Sequence, residues 1–398
     1  MIWQRLESRN QRNIIERIII KGNLILDTPT CLGSGDTDSD TDLVLLRDSI
    51  EDKALLMGSS IAGALRNYLR EFENGYNNAI ETSLLFGALR SDDDGEQSPL
   101  IVNDTLSSNT LKVELRDGVK IDSTTGTAAD KAKYDLELLE AGTEFKLYFE
   151  LLIGEQDNRE QLIQELSIVL QGLEKGEISI GMKKRRGFGR CRVRKWQVCR
   201  FDLKKPEELI NWLKFQHWTT DLLPNYCSYS SIAEAFSKAE IKTNSNIQDN
   251  RERLIIQAKF TLAAPLLIRS AQADIQKAPD DVHLKSRRNN ELKSILSGTS
   301  LAGVLRHRAE RIINTLGENE IIIDEIFGFV KEEKENSDSP EDVSLTKPQD
   351  KATASRLVVD ESIINETTDL VQTRIAIDRF TGGALHGALF QEQPIFGN

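Results

Sequence analysis

Cysteine is scarce in this 398-residue chain: Cys31, Cys191, Cys199 and Cys227 are the whole complement, and no two form a CxxC pair. That excludes a disulfide framework and gives no zinc spacing, so reduced thiols are expected. Long apolar runs are missing too. No stretch approaches the ~18 residues of a membrane-spanning helix, and the start, MIWQRLESRNQR, has no signal-peptide core. A cytoplasmic protein with no membrane partner is therefore expected. What is present is ordinary for a folded chain of two or three domains, with 39% hydrophobic and 29% charged residues. The net charge of −12 argues at face value against nucleic acid as a partner, but a whole-chain sum hides how charge is distributed.

The chain repeats itself. GSSIAGALR (Gly58 to Arg66) returns as GTSLAGVLR (Gly298 to Arg306), identical at six of nine positions. Upstream, IIIKGNLILDTP (Ile18 to Pro29) parallels LIIQAKFTLAAP (Leu254 to Pro265), and both read as strands ended by proline. Downstream, Leu85-Phe86-Gly87 parallels Ile326-Phe327-Gly328, and VKIDSTTGTA (Val119 to Ala128) parallels IAIDRFTGGA (Ile375 to Ala384). The separation between matched segments grows along the chain, as loop insertions in a second copy produce. The acidic, proline-containing stretch from Lys331 to Lys351 reads as a disordered loop.

The first copy continues through GTEFKLYFELLI, an amphipathic helix, a glycine-containing basic loop and the strand CRVRKWQV. The second reaches Asn398 near where the first enters its GTEFKLYFELL strand, so a fragment of a longer polypeptide is expected. Residues 204–250, from PEELINWLKFQHW to KTNSNIQDN, read as a helical linker between a first domain at 1–203 and a second at 251–398 that lacks a glycine-rich loop. Strands and helices alternate with antiparallel returns, which is compatible with an α+β, ferredoxin-like sheet covered by helices.

Three segments could carry chemistry. The loop CLGSGDTDSDTDLVLLRD places aspartates at 36, 38, 40 and 42. An EF-hand fails, since its sixth position is Thr41 and its twelfth Arg47. A P-loop fails for want of its lysine. A solvated acidic turn is the plain alternative, but Asp42 directly precedes the apolar LVLL and is the best fixed of the four. In the second copy both Asp280 and Asp281 fit the corresponding place. Next, the helix starts at Ser59-Ser60 and Thr299-Ser300, with Arg66 and Arg306 further in, are candidate anion sites, against the plain reading of ordinary N-caps on core helices. Last, GMKKRRGFGRCRVRKWQ holds eight basic residues in thirteen from Lys183 to Lys195, with no acid. Lys183, Lys184, Arg185, Arg186 and Arg190 can neutralise phosphates, the glycines allow close approach, and Phe188 and Trp196 offer stacking surfaces. A solvated basic turn is the alternative, though it accounts poorly for such density in an acidic chain. None of His217, His283, His307 and His386 has a counterpart in the first copy, and nothing supports serine or cysteine nucleophilic catalysis.

These motifs, in this order, resemble the RAMP (repeat-associated mysterious protein) superfamily, specifically backbone subunits of type III CRISPR effector complexes. The resemblance spans 14–202 and 252–398, and two fused units resemble the fused backbone proteins of type III-D systems. It implies tandem RAMP domains with β-hairpin thumbs at the VKIDSTTG and IAIDRFTG segments. It implies guide RNA, target RNA, other RAMP subunits and the large polymerase-like effector subunit as partners. It also implies target RNA cleavage at regular intervals, dependent on Mg²⁺ or another divalent cation, through a loop aspartate. Asp42 with Asp48 matches the family's six-residue spacing. Asp281 is the expected second-copy residue, although Arg287 stands where its acidic partner should be. A non-catalytic guide-binding scaffold and a guide-processing endoribonuclease of the same superfamily are the alternatives.

Overall fold

A computed structural model describes residues 13–34, 43–76, 84–88, 97–122, 125–217, 219, 223, 226–243, 248–270, 279–289, 291–319, 321–329 and 353–397. Strand β1 (Ile14–Leu26) carries a β-branched run that is buried on both faces. Such a strand must lie inside a sheet covered on both sides. It pairs antiparallel with β7 (Glu144–Gly154) on one edge and β8 (Cys191–Asp202) on the other, so Ile19 lies between Glu150 and Cys199. With β3 (Leu100–Val102) outside β7, the order is β3-β7-β1-β8. Helix α1 (Gly58–Asn74) follows β1 and α2 (Arg159–Lys175) follows β7. This is the ferredoxin-like plan. The register of β1 on β8 shifts at Gly22, where the Trp196 ring packs so closely that a side chain would collide with it.

Both helices cover one face. Ile61, Leu65 and Leu69 of α1 and Leu162, Leu166 and Leu170 of α2 share a core with Ile18, Ile20 and Leu24. The opposite face carries Ile19, Tyr148, Cys199 and Phe201, and is covered by Trp212, Phe215 and Leu223. Helix α3 (Pro206–Lys214) packs on β8, and Ile232, Ala235 and Phe236 of α4 (Ile232–Lys238) join the main core. The helices of the 204–250 segment thus pack on the first unit. The chain then returns to α1, where Asn250 N donates to Phe72 O at 2.9 Å.

The second unit repeats parts of this plan. Short strands β2 (Leu55–Leu56) and β4 (Thr105–Leu106) pair as do β11 (Glu291–Leu296) and β12 (Ser362–Ile363). Hairpin β5 (Val113–Ile121)/β6 (Ala128–Leu139) recurs as β14 (Gln372–Ile377)/β15 (Ala384–Gln393), with the same register break before the turn. Between them in the chain lie β9 (Asp281–Val282), β10 (Lys285–Arg288) and β13 (Thr367–Asp369), and β16 (Ile395–Gly397) closes the series. Helix α5 (Gly298–Leu316) is the counterpart of α1, and α6 (Ile321–Phe327) leads into the repeated Phe-Gly. The Ser98 hydroxyl donates to Leu85 O and Leu100 O, and Ser355 donates to Ile326 O and Leu357 O. The chain is α+β, with two tandem ferredoxin-like units.

One expected element is absent from the described residues. The counterpart of β1, 254–262, is extended without strand pairing, and Leu254, Ile255, Ile256 and Phe260 are exposed, Leu254 to 86%. A strand is defined by its neighbours. Residues 18–26 find theirs in β7 and β8, whereas no described strand pairs with 254–262. Likewise Leu305 of α5 is exposed where its counterpart Leu65 is buried.

Gly58 opens α1 against the main chain of Val102 and Asn103, so an added methyl would meet carbonyl oxygen. Gly63, one turn on, has open space around it. Gly58→Ala should therefore cost about 1–3 kcal/mol through overpacking. Gly63→Ala should add about 1 kcal/mol through helix propensity. Thermal midpoints of the two variants should move in opposite directions.

Candidate functional site

Asp36, Asp38, Asp40 and Asp42 lie outside the described residues, which resume at Leu43. Leu43 pairs in parallel with Leu136 of β6, and in the second unit Asp281 pairs in parallel with Glu392 of β15. The neighbouring bonds agree: Ser34 N to Val44 O and Leu46 N to Leu32 O recur as Ser270 N to Val282 O and Leu284 N to Ile268 O. Leu43 therefore corresponds to Asp281, and the residue matching Asp42 is Asp280. The expectation of Asp281 is corrected by one residue. Asp280 accepts from Gln391 N at 2.8 Å, while Asp281 is ion-paired with Arg269 Nε at 2.8 Å.

The same arginine acts electrostatically on an acidic pair of the first unit. Asp117 and Asp135 face each other across β5 and β6, and Lys133 lies 3.7 and 3.6 Å from them. Burial and a hydrogen bond with Asp135 push the Asp117 carboxyl up, against the pull of Lys133 and Arg269. Asp48, the expected second acid, is spent on a turn, accepting from Ile50 N and Glu51 N at 3.0 and 2.7 Å. Arg287 pairs with Glu140 of the first unit at 3.2 Å.

His283 is not the surface residue its polar neighbours suggest. It is buried; its Nδ1 accepts from Ile268 N at 3.1 Å and its Nε2 lies 3.2 Å from Ile295 O. This arrangement requires the neutral ring protonated at Nε2. Burial lowers its pKa, with nearby Lys285 adding to the effect and Asp369 opposing it.

At the helix starts, Ser59 and Ser60 are exposed and Thr299 and Ser300 half-buried. The first amide of α1, Gly58 N, donates to Asp104 Oδ1 at 2.7 Å, and Thr299 N donates to Ser297 Oγ at 3.2 Å. Arg66 donates to Gly87 O, and Arg306 donates to Gly328 O at 2.9 Å while also pairing with Asp324 and Glu310. Both arginines thus clamp the repeated Phe-Gly turn in the same way. This gives them a structural role that holds with or without RNA.

The basic loop is a junction between the units. Gly187 and Gly189 sit at φ 86° and 74°, and Lys184–Arg186 forms a single 3-10 turn. Arg185 O accepts from Val359 N at 3.1 Å, and Arg186 donates to Phe327 O at 3.4 Å. Arg190 grips Asp360 with contacts of 2.6 and 2.7 Å. Gly298, at the start of α5, abuts the carbonyls of Arg186 and Val359. Phe188 is only 4% exposed and lies under the Arg116 guanidinium, and Trp196 is fully buried with its indole N–H on Glu174 at 3.1 Å. Both rings pack in this structure, which corrects the stacking surfaces expected of them. Lys183 lies 3.7 Å over the Tyr134 ring, and Lys184 is exposed.

Beneath the loop lies a buried charge cluster. Glu361 accepts from Arg116 at 2.8 Å and from Arg288; Arg116 also pairs with Glu114; and Ser286 Oγ donates to Glu114 at 2.7 Å. These residues were missed in the sequence, yet a signal was there. LIVNDT (Leu100 to Thr105) matches LVVDES (Leu357 to Ser362), which equates Asp104 with Glu361. Among the described residues, no group of three or more His, Cys, Asp or Glu could hold a metal ion, so the protein alone offers no cation cage there. No described helix is long and apolar enough to cross a membrane.

The family model described as the RAMP superfamily matches residues 23–192 and 259–398. Among curated proteins, none matches the chain.

Because the folded His283 titrates below its ordinary 6.5, its contribution to stability is fully present above that pH. It is lost as pH falls through the lower folded value. Thermal midpoints between pH 7.5 and 5 should drop more steeply for the wild-type chain than for His283→Gln.

Proposed function

The chain belongs to the RAMP superfamily, which is associated with RNA-binding and RNA-processing proteins of CRISPR–Cas systems, and from that premise we propose that it is a two-unit backbone subunit of a type III effector complex, of the fused type III-D kind. In this reading it holds guide RNA and cleaves complementary target RNA at regular intervals. One observation carries the catalytic part. In both units the residue after the candidate aspartate pairs in parallel with the long strand of the hairpin, Leu43 on Leu136 and Asp281 on Glu392. Asp42 and Asp280 are thereby tied in sequence to the roots of two hairpins that would part a guide–target duplex.

The chemistry asked of each carboxylate is modest. The 2′-hydroxyl of the target gives its proton to the aspartate, and the 2′-oxygen attacks the adjacent phosphorus. The bond to the 5′-oxygen breaks, and that oxygen leaves with a proton from water. A 2′,3′-cyclic phosphate and a 5′-hydroxyl result. The protein supplies in-line geometry and a positioned acceptor. A divalent cation such as Mg²⁺, bound with the RNA, would reduce the charge on the phosphate. The scaffold alternative draws on Asp280, whose carboxylate is already engaged by Gln391 N at 2.8 Å. The processing-nuclease alternative lacks an acid–base histidine at this site, His283 being buried and held by main-chain groups.

Assembled complex, incubated with labelled target and labelled precursor RNA with and without Mg²⁺, separates these readings. Asp42→Ala should abolish one set of target cuts and Asp280→Ala the other, with RNA binding unchanged; cutting at every position in both variants defeats the assignment. Lys184→Ala should weaken guide binding and lower the salt slope by about one, read from affinities across a salt series.

A further inference from the structure

The strand that follows the candidate aspartate is fastened differently in the two units. Matched main-chain bonds equate Val44 with Val282 and Leu46 with Leu284, so Leu45 is the counterpart of His283. Leu45 bridges Gly33 as His283 bridges Arg269. Both side chains are buried, at 2% and 3% exposure. Leu45 has no titratable state. His283 instead ties main chain together with both ring nitrogens, Nδ1 accepting from Ile268 N at 3.1 Å and Nε2 donating to Ile295 O at 3.2 Å. Its own N–H donates to Gln393 O at 3.1 Å, and Asp280 accepts from Gln391 N on the same strand, β15. The 266–270 stretch, β11 and the end of β15 thus meet on one imidazole beside Asp280.

Only the neutral ring can make this set of bonds. An imidazolium carries a proton on each nitrogen, so Nδ1 stops accepting and meets the Ile268 N–H as a second donor. The Leu266 carbonyl also lies within hydrogen-bonding reach of the ring, and acid therefore exchanges one main-chain partner for another on the same stretch. The charged groups that face the ring are Lys285 and Asp369, which pair with each other. Arg269 and Asp281, on the flanking residues, are likewise paired. Burial favours the neutral form, aided by Lys285 and opposed by the bond to Ile295 and by Asp369. A cavity of about 130 Å³ beside the ring, lined also by Ser270, Leu292 and Gln393, leaves it room to move.

We propose that His283 is a positioning residue for Asp280, and that its protonation withdraws the second unit's carboxylate while the first unit, with Leu45, keeps its own. Target cleavage then passes from two sets of cuts to one as pH falls. This rests on the cleavage reading above. The test uses assembled complex and labelled target RNA between pH 7.5 and 5, with wild-type, H283L and H283Q chains, and nitrogen-15 NMR of histidine-labelled protein. The wild-type ring should be neutral with its proton on Nε2 at pH 7.5 and should titrate within the range. A shift of about 1 Å in a reacting group can cost ~10²-fold, so the ratio of second-unit to first-unit cuts should follow the neutral ring. It should be halved at the NMR midpoint and fall about tenfold per pH unit well below it. In H283L and H283Q the ratio should stay level across the range, which a purely structural histidine would not predict. With first-unit cuts present, a level ratio in the wild type, a ring still neutral at pH 5, or an equal fall in both variants each overturns the proposal. Absence of target cuts at every pH defeats the cleavage reading, and this proposal with it.

Discussion

A carboxylate removed from water must be paired or neutralised, and Glu361 meets that demand with two guanidinium groups drawn from different halves of the chain. Arg116 comes from the first hairpin and Arg288 from the second unit's β10, with Glu114 balancing the second positive charge. The cluster is neutral as a set and unstable in any part, since losing one partner leaves a buried charge uncompensated. It lies next to the basic loop and the start of α5, which meet at Gly187, Gly298 and Val359. Such clusters specify an arrangement more than they strengthen it.

Much of this was legible in the sequence because a duplication compares the chain with itself. The helix motif and the Phe-Gly turn kept their residue types, and the arginine bond to that turn was kept with them. The register of the acidic loop was not legible. Asp280 and Asp281 are adjacent carboxylates, and only main-chain pairing tells which one follows the strand's alternation. Arg66 and Arg306 were legible as a pair but not in their role, because the acceptor they share is the carbonyl of a glycine some twenty residues on, and a carbonyl leaves no mark in side-chain identity. Phe188 shows the same limit from another side. An aromatic in a basic loop reads as exposed until Arg116, distant in sequence, is seen to cover it.

The charge balance takes on a spatial meaning. The −12 sum averages over acidic loops, a basic loop in which Arg190 is paired with Asp360, and single exposed cations such as Lys184 and Arg379. What would attract a phosphate backbone is the placement of a few free cations at tips and edges, a quantity the sum does not measure.

The unpaired stretch LIIQAKFTL at 254–262 carries a consequence for handling the protein. It pairs with no described strand, and Leu254, Ile256 and Phe260 are exposed along it, the combination that templates strand addition between molecules. In a concentrated solution of this chain, the first route to aggregation runs through that segment rather than through unfolding of the first unit. A lysine placed there would act as a gatekeeper, improving solubility while touching nothing in the core.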